Sequence, residues 1–308
     1  MAVNGMYKLM EQFAVHDGPG MRLIVFLKGC NLRCKWCQNP ECIEPKPQLW
    51  YNKLRCKDEG KCVEVCSEGA ISMDKDNKFD LEKCNDCFKC ADACRPGAFE
   101  VIGKEISSDD LVKQILKYKF FFSRSKDGGV TISGGEPTFQ SDFTADVLSQ
   151  LKKEGINAAV ECNLFGKYEK IWNVVQYCDY LICDIKHMNS DKHKAETGAP
   201  NELIHENLKK LNKDFNGKAI AVHIPLIPAW NDDEENIAKT LEFVKPLEKI
   251  ARIDLLPFNL LPVSKYTAMG IKWEYAGIKG QSQEHLQKLV NIVNKYGGRF
   301  AHTVGGLW

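Results

Sequence analysis

A regular alternation of strand-like and helix-like segments occupies the last two thirds of this 308-residue chain. Short apolar, β-branched runs end in turn residues, and each is followed by apolar residues at helical spacing. Such alternation implies right-handed β–α–β units around a parallel sheet. The predicted fold class is therefore α/β, with the six units in a closed barrel or a partial (β/α)6 TIM-like barrel and a doubly wound open sheet as the less favoured alternative. Strands are predicted at 22–28, 129–133, 157–162, 180–185, 218–226 and 252–257, with a possible last strand at 299–304.

The charge balance and the apolar pattern exclude several classes of function. Lys and Arg number 42 against 41 Asp and Glu, and this near balance gives no electrostatic footprint for nucleic acid or an anionic membrane. No apolar run approaches the roughly 18 residues of a membrane-spanning helix. Residues 1–12 lack the apolar core of a signal peptide, so a cytoplasmic protein is expected.

Cysteines are the most unevenly distributed residue type. Eleven of the fourteen fall between Cys30 and Cys94, and such clustering in a cytoplasmic chain favours metal ligation over disulfides. The first three, Cys30, Cys34 and Cys37, follow the first predicted barrel strand, and the ends of barrel strands are where catalytic groups collect. Three thiolates are one short of the usual set for an iron–sulfur cluster or a structural zinc ion. They suit a centre with one open metal position, with a zinc knuckle and a distant fourth ligand as the alternative.

A second group of cysteines lies between residues 42 and 104, where apolar periodicity is weak. One run, C-x2-C-x2-C-x3-C, has the spacing of bacterial ferredoxins, and an earlier half-repeat has Glu59 in its second ligand position. We therefore predict a ferredoxin-like insert at 42–104, with the barrel formed by 1–41 and 105–308. A pair of zinc sites is the alternative.

In two-cluster ferredoxins the fourth cysteine of each run serves the other cluster, which divides the cysteines of the insert into two sets. One set would hold a complete 4Fe–4S cluster, and the other would lack one ligand. Asp58, Glu59 or Cys42 would fill the vacancy, or the site would hold a 3Fe cluster or nothing. The complete set is Cys66, Cys84, Cys87 and Cys90, and the incomplete set is Cys56, Cys62 and Cys94.

Polar residues follow three of the predicted barrel strands. They are Gly134-Gly135-Glu136-Pro137, Glu161-Cys162-Asn163 and Asp184-Ile185-Lys186. Paired glycines allow close approach of a ligand to the backbone, and polar groups at a barrel mouth usually serve ligands rather than packing. His223, in the middle of a strand, is predicted to be an ordinary hydrogen-bonded core histidine.

These motifs resemble those of the radical S-adenosylmethionine enzymes, and more closely the activating enzymes of glycyl radical enzymes. The resemblance rests on the Cys30-to-Cys37 loop with Trp36 and on the Gly-Gly-Glu-Pro motif. Four further segments fit, at 16–22, 184–186, 192–198 and 231–234. The insert is similar to the subgroup whose partners are lyases, dehydratases or decarboxylases rather than pyruvate formate-lyase.

The resemblance implies a role for each matching residue. Cys30, Cys34 and Cys37 would bind three irons of a 4Fe–4S cluster, and the fourth iron would chelate the amino and carboxylate groups of S-adenosylmethionine. The remaining residues would surround that cofactor or the incoming glycine. Gly134, Gly135 and Glu136 would meet the amino group, Glu161 the amino group and a monovalent cation, Asp184 the same cation, Lys186 the carboxylate, Trp36 the adenine side and Asp17 the glycyl loop. Asn259 stands where the pyruvate formate-lyase activating enzyme has a histidine, so its contact with the carboxylate is an open question.

The same resemblance implies the reaction. A reduced cluster would cleave S-adenosylmethionine to a 5′-deoxyadenosyl radical, which would take a hydrogen atom from a glycine Cα of a partner glycyl radical enzyme. A flavodoxin or ferredoxin would supply electrons, and the insert would relay them. The alternatives are a radical maturase of another peptide and an electron-transfer iron–sulfur protein with a non-catalytic barrel. The identity of the partner leaves no trace in the sequence.

Overall fold

This computed structural model describes residues 2–74, 78–296 and 300–305, and a large mixed sheet forms its centre. Nine strands are hydrogen-bonded in the order β11-β10-β9-β8-β7-β6-β2-β1-β5, and β3 pairs with β4 in a separate ribbon. The described strands are β1 (Asn4–Ala14), β2 (Arg22–Leu27), β3 (Gln48–Tyr51), β4 (Phe99–Ile102), β5 (Lys104–Ser107), β6 (Gly129–Gly134), β7 (Asn157–Cys162), β8 (Tyr180–Asp184), β9 (Ala219–Pro225), β10 (Ile250–Leu256) and β11 (Ala301–Val304).

Helices connect the strands of the large sheet. Within the described ranges none of them is long and apolar enough to cross a membrane. The helices are α1 (Lys61–Glu64), α2 (Lys89–Ala93), α3 (Ser108–Leu116), α4 (Lys119–Phe122), α5 (Ser141–Lys153), α6 (Tyr168–Val175), α7 (Ser190–Thr197), α8 (Glu202–Asp214), α9 (Glu234–Val244), α10 (Val263–Ala268) and α11 (Gln283–Tyr296).

The strand order decides between the two predicted α/β architectures. From β2 to β11 every neighbouring pair is parallel, and the strands follow one another in sequence order without reversal. A doubly wound sheet reverses its order at a switch point, so that alternative is wrong. The six predicted barrel strands lie within two residues of their predicted bounds. Of the possible last strand, Ala301–Val304 is found and residue 299 lies outside the described residues.

The two faces of the sheet differ in chemistry. One face packs under the connecting helices in a single apolar core, to which β2 contributes Leu23, Val25 and Leu27. Side chains alternate along a strand, so the residues between these point to the opposite, inner face. That inner face carries polar groups, of which Arg22, Thr131, Ser133, His223 and Asp254 are buried and Glu161 and Asp184 are half-buried.

Arg22 organises the lower part of this polar interior. Its guanidinium donates to Thr131 Oγ1 at 2.7 Å, to Asn157 Oδ1 at 3.1 Å and to the carbonyl of Pro19 at 2.9 Å. Burial lowers the pKa of Arg22 to about 10, so the group stays charged at neutral pH. These bonds join the 15–21 loop to β6 and β7, and they hold the segment containing Asp17 inside the barrel.

Several elements differ from the sequence prediction. The helix expected over 109–122 is broken into α3 and α4, with Tyr118 outside helical geometry between them. The antiparallel strands β1 and β5 were not predicted, because the pairing of β1 with β2 is interrupted by irregularities after Tyr7 and after Glu11. Such bulges destroy the period-two pattern that identifies a strand.

The segment between Cys42 and Lys104 forms a small unit with its own core. β3 and β4 pair antiparallel, and α1 and α2 lie at the two cysteine runs. Its buried residues form an apolar cluster separate from the main core, around Leu49, Tyr51 and Phe99. At Lys104 the chain rejoins the large sheet, where β5 pairs with β1.

Candidate active site at the barrel mouth

The three-cysteine loop begins directly after β2, at the barrel mouth formed by the carboxyl ends of β2, β6, β7 and β8. Gly29 turns the chain there with a φ of 97°, and a Cβ at this position would lie 2.5 Å from the Phe139 ring. The loop is then fixed to α7. The amides of Arg33 and Lys35 donate to the carbonyls of Thr197 at 2.8 Å and Glu196 at 3.1 Å.

Aromatic residues from the C-terminal third of the chain pack against the three-cysteine loop. Trp36 is 3% exposed and packs against Trp230 with ring centroids 4.3 Å apart. The Tyr266 hydroxyl donates to the Cys37 carbonyl at 3.1 Å, and Trp273 Nε1 donates to the Lys35 carbonyl at 2.9 Å. Residues far apart in sequence therefore set the shape of the thiol loop. The predicted contact of Trp36 with adenine remains a prediction.

Replacing Tyr266 with phenylalanine is expected to loosen this loop without altering the aromatic packing. The Cys37 carbonyl loses a donor, which costs about 1 kcal/mol, and iron should pass to a chelator several times faster. Timed iron release from the reconstituted protein measures this effect. Tyr296→Phe, at an exposed position on α11, is the matched control and should release iron at the wild-type rate. Equal release rates for Tyr266→Phe and wild type would contradict the role of this hydroxyl.

The thiols of Cys30, Cys34 and Cys37 are free and partly buried. Burial raises the pKa of all three, that of Cys30 to about 12, while Lys186 acts in the opposite direction on Cys30 and Cys34. In the part of the chain that the structure describes, no three His, Cys, Asp or Glu side chains form a group that could hold a single metal ion. A 4Fe–4S cluster takes one thiolate per iron, and binding of such a cluster by this loop remains a prediction.

Asn163 is a contributor to this site to which the sequence assigned no role. Its Nδ2 lies 3.7 Å from Cys30 Sγ and donates to Asn31 Oδ1 at 3.0 Å. The Leu32 amide also approaches Cys30 Sγ, at 3.5 Å. Hydrogen bonds to ligand sulfurs tune iron–sulfur centres. The available signal was the position of Asn163 one residue beyond β7, at the same mouth.

Three carboxylates meet across the mouth, with a lysine at one side. Glu161 accepts a short hydrogen bond from Ser133 Oγ. Burial together with the carboxylates of Asp17 and Asp184 raises the pKa of Glu161 well above its ordinary range. Lys186 Nζ lies 2.6 Å from Asp184 Oδ2, and although burial opposes it, Asp184 and the Cys34 sulfur raise the pKa of Lys186. The excess of negative charge fits an ammonium group or a monovalent cation.

The Gly-Gly-Glu-Pro turn lies against the base of the thiol loop. A Cβ at Gly134 would stand 2.4 Å from the Leu27 backbone, and one at Gly135 would stand 2.3 Å from the Gly29 carbonyl, so both positions require glycine. Glu136 is fully buried, and its carboxylate accepts from Asn163 N at 2.6 Å, from Thr138 and from Cys162. In this arrangement the Glu136 side chain ties β6 to β7, and its predicted contact with a ligand remains a prediction.

Two further predicted residues occupy different settings. Asn259, beyond β10, is exposed and accepts from the Leu261 amide at 3.1 Å. His223 is buried as predicted and faces the polar interior, where its Nε2 lies 3.5 Å from Asp254 Oδ2. This nitrogen has no hydrogen-bond partner among the described residues, so the expectation of an ordinary hydrogen-bonded core histidine is wrong.

Asn231 explains why the 231–234 segment belongs to the site. It is fully buried, and its Nδ2 donates to the carbonyls of Lys186 at 2.6 Å and Pro225 at 2.7 Å, while its Oδ1 accepts from Ile227 N. One amide thus joins the ends of β8 and β9 and fixes the backbone that carries Lys186.

Replacing Asn231 with alanine is expected to weaken both the fold and the mouth. Three buried backbone groups lose their partner, which costs about 2 kcal/mol, and the KM for S-adenosylmethionine should rise about fivefold as Lys186 loses its support. Urea unfolding and initial rates measure the two effects. Asn291→Ala on the exposed face of α11 should change neither quantity. An unfolding midpoint and KM equal to wild type would contradict the role of Asn231.

Two recesses in the segment between Cys42 and Lys104 separate its cysteines. Both are partly open to solvent. The first recess is lined by Cys66, Cys84, Cys87 and Cys90. The second recess is lined by Cys56, Cys62 and Cys94, together with Asp58 and Glu59.

Cys42 lies apart from both recesses. It is fully buried at the base of the first loop, where its carbonyl accepts from the Gly29 amide at 2.8 Å. The suggestion that Cys42 completes the second set is therefore wrong. Asp58 and Glu59 are the two suggested ligands that do line the second recess.

Comparison with known proteins agrees with this geometry. The Radical SAM superfamily profile matches residues 24–241. The chain is 38% identical to the 4-hydroxyphenylacetate decarboxylase activating enzyme of Clostridioides difficile (strain 630), over 94% of this chain and 93% of that protein. It is also 38% identical to the (2S)-3-sulfopropanediol dehydratase activating enzyme of Klebsiella oxytoca, with the same coverage.

Among solved structures, SuiB of Streptococcus suis bound to the precursor peptide SuiA matches with a TM-score of 0.54 and 13% identity. The match covers 96% of this chain and 49% of SuiB, and it concerns the fold alone. Together with the sequence relatives and the mouth geometry, these comparisons identify the family. The chain belongs to the radical SAM superfamily and, within it, to the activating enzymes of glycyl radical enzymes.

Proposed function

We propose that this chain binds S-adenosylmethionine at the barrel mouth and installs a glycyl radical in a partner enzyme. The observation that carries the proposal is the meeting of three free thiols with Lys186 and the Asp17–Glu161–Asp184 carboxylates at the ends of adjacent parallel strands. When bound, a 4Fe–4S cluster supplies the electron that cleaves S-adenosylmethionine, and the resulting 5′-deoxyadenosyl radical removes a hydrogen atom from a glycine Cα.

Each side chain of the mouth is proposed to bind a different part of the cluster or of S-adenosylmethionine. Cys30, Cys34 and Cys37 hold the cluster, and Lys186 receives the carboxylate of S-adenosylmethionine. The acidic group formed by Glu161 and Asp184 receives the amino group and a monovalent cation, since Lys186, paired with Asp184, supplies one positive charge beside the three carboxylates of Asp17, Glu161 and Asp184. The remaining proposed contacts are Gly134, Gly135 and Glu136 with the amino group, Trp36 with the adenine side, and Asn259 on the rim.

The partner enters as a loop carrying a glycine, and we place Asp17 beside it. Asp17 lies in the segment held inside the barrel by Arg22 and Thr131, and its carboxylate is close enough to Glu161 to affect its pKa. The relatives are named for a decarboxylase and for dehydratases. We therefore propose a glycyl radical enzyme of the decarboxylase, dehydratase or lyase class as the partner.

Two measurements test the proposed function. Anaerobically reconstituted, reduced protein should convert S-adenosylmethionine to methionine and 5′-deoxyadenosine, and one member of a panel of glycyl radical enzymes should gain an organic-radical EPR signal. Failure of iron-replete, reduced protein to form 5′-deoxyadenosine would contradict the proposal and favour the electron-carrier alternative. Cleavage without a radical on any glycyl partner would favour a maturase of another peptide.

We also propose that the segment 42–104 is a ferredoxin-like domain with an auxiliary cluster in each recess, relaying electrons from a flavodoxin or ferredoxin. The division of the cysteines between two recesses supports this, and we propose that Glu59, which lines the second recess, completes the second set. The fourteen free thiols suit the reducing cytoplasm.

Replacing Cys84, Cys87 and Cys90 together with alanine tests the relay. Activation by the protein electron donor should fall, while activation by dithionite, which can reduce the mouth cluster directly, should persist. Unchanged activation with the protein donor would contradict the relay.

A further inference from the structure

Lys78 is a buried cation beside the second recess. It is 6% exposed, and its Nζ lies 3.3 Å from Cys56 Sγ and 3.6 Å from Met73 Sδ. It also donates a short hydrogen bond to Asp58 Oδ1. The ammonium therefore touches one of the three thiols that define the recess.

Burying an ammonium is costly unless nearby negative charge compensates it. The Asp58 side chain is 72% exposed, so solvent screens much of its attraction. A long lysine side chain in a segment this small can ordinarily reach solvent. Its inward position indicates a site that carries negative charge on the Cys56 side.

The first recess has a different charged group beside its thiol. There Cys84 Sγ lies 4.0 Å from Asp86 Oδ1, and the other oxygen of Asp86 pairs with the exposed Lys46 at 2.6 Å. In the second recess the Lys78 ammonium, at 3.3 Å, is nearer to Cys56 Sγ than the Asp58 carboxylate, at 3.6 Å, whereas the charged group beside Cys84 in the first recess is a carboxylate. The two recesses differ in the sign of the nearest charge.

We infer that Lys78 is a positioning residue that raises the reduction potential of a cluster in the second recess above that in the first. The inference rests on the proposed auxiliary clusters. Reduction adds one negative charge to a cluster, and an ammonium hydrogen-bonded to a ligand sulfur stabilises the reduced form. One electron from a low-potential protein carrier reduces one Fe(III) to Fe(II), with no bond made or broken and no proton taken up. Lys78 thereby stabilises the reduced state of the cluster in the second recess.

Potentiometric titration followed by EPR tests the inference in the full chain, with Cys30, Cys34 and Cys37 replaced by alanine to silence the mouth. Two reduction potentials then remain, one for each recess. Lys78→Met should lower one of them, so that the equilibrium constant for reduction of that cluster falls at least about tenfold, and it should leave the other potential unchanged. Lys78→Arg, which keeps the charge, should restore most of the shift. Lys61→Met, at an exposed lysine of the same recess that pairs with Glu64, should leave both potentials unchanged.

Asp58→Asn gives an independent test of opposite sign. It removes the carboxylate that partly neutralises Lys78, so the same potential should rise. If Lys78→Met does not bind a cluster in the second recess, the potential of Asp58→Asn tests the role of Lys78 instead. Full iron content with unchanged potentials in Lys78→Met would overturn the inference about Lys78 but not the proposed clusters. A lower potential in Asp58→Asn would do the same. Absence of iron from the segment in the parent protein would overturn the auxiliary clusters as well.

Discussion

Replacing Cys34 with alanine is expected to abolish cleavage of S-adenosylmethionine, lowering its rate by at least about 10³-fold. Cys34 is one of the three free thiols of the loop that is proposed to hold the cluster. Lys186 interacts electrostatically with both Cys34 and Cys30, so the loss also disturbs the charge balance on which the lysine depends. The fold should persist, since the loop is held by backbone bonds to α7 and by the aromatic cluster.

Iron content separates this outcome from general damage. Cys34→Ala should lose about four irons per chain, the content of one cluster, while iron bound by the proposed clusters of the insert should stay. Cys183→Ala is the matched control, because Cys183 is a buried thiol of β8 on the helix-covered side. It should retain iron and near-normal cleavage with some loss of stability. Substantial 5′-deoxyadenosine formation by Cys34→Ala would contradict the assignment of the mouth.

The barrel strands were predictable because each is a continuous apolar run that ends at turn residues. β7 matches its predicted bounds, and β2 differs by one residue. The ligand-bearing ends of these strands were predictable for the same reason, since parallel strands bring their carboxyl ends to one edge. Glu161, Asp184 and Lys186 accordingly meet at one mouth.

The supporting contacts were not predictable, because they depend on three-dimensional neighbours rather than on local pattern. Asn231 and Asn163 are polar residues in loops, and only the fold places their amides on the Lys186 carbonyl and near Cys30. Tyr266 and Trp273 come from the last fifth of the chain, yet they hold a loop near its start. Glu136 was associated with a ligand because of its motif, whereas its carboxylate bonds to protein groups.

The interior carboxylates give a prediction in which stability and activity change in opposite directions. Glu161 lies close to Asp17 and Asp184, and a short hydrogen bond from Ser133 stabilises its carboxylate. Like charges brought together in a buried site destabilise the folded protein, and a bound ammonium or cation would relieve them. Binding of a cationic ligand therefore removes the repulsion between these carboxylates, and the free energy released contributes to binding of the ligand.

Glu161→Gln is accordingly expected to stabilise the ligand-free protein by about 1 kcal/mol and to raise the KM for S-adenosylmethionine by about 10- to 100-fold. The glutamine keeps the shape and an acceptor for Ser133 but carries no charge. Thermal unfolding of the free protein and initial cleavage rates measure the two effects. Glu169→Gln on the exposed side of α6 is the matched control and should change neither. A KM equal to wild type, or a loss of stability, would show that Glu161 supports the fold rather than the ligand, since only a binding role requires strain in the free protein.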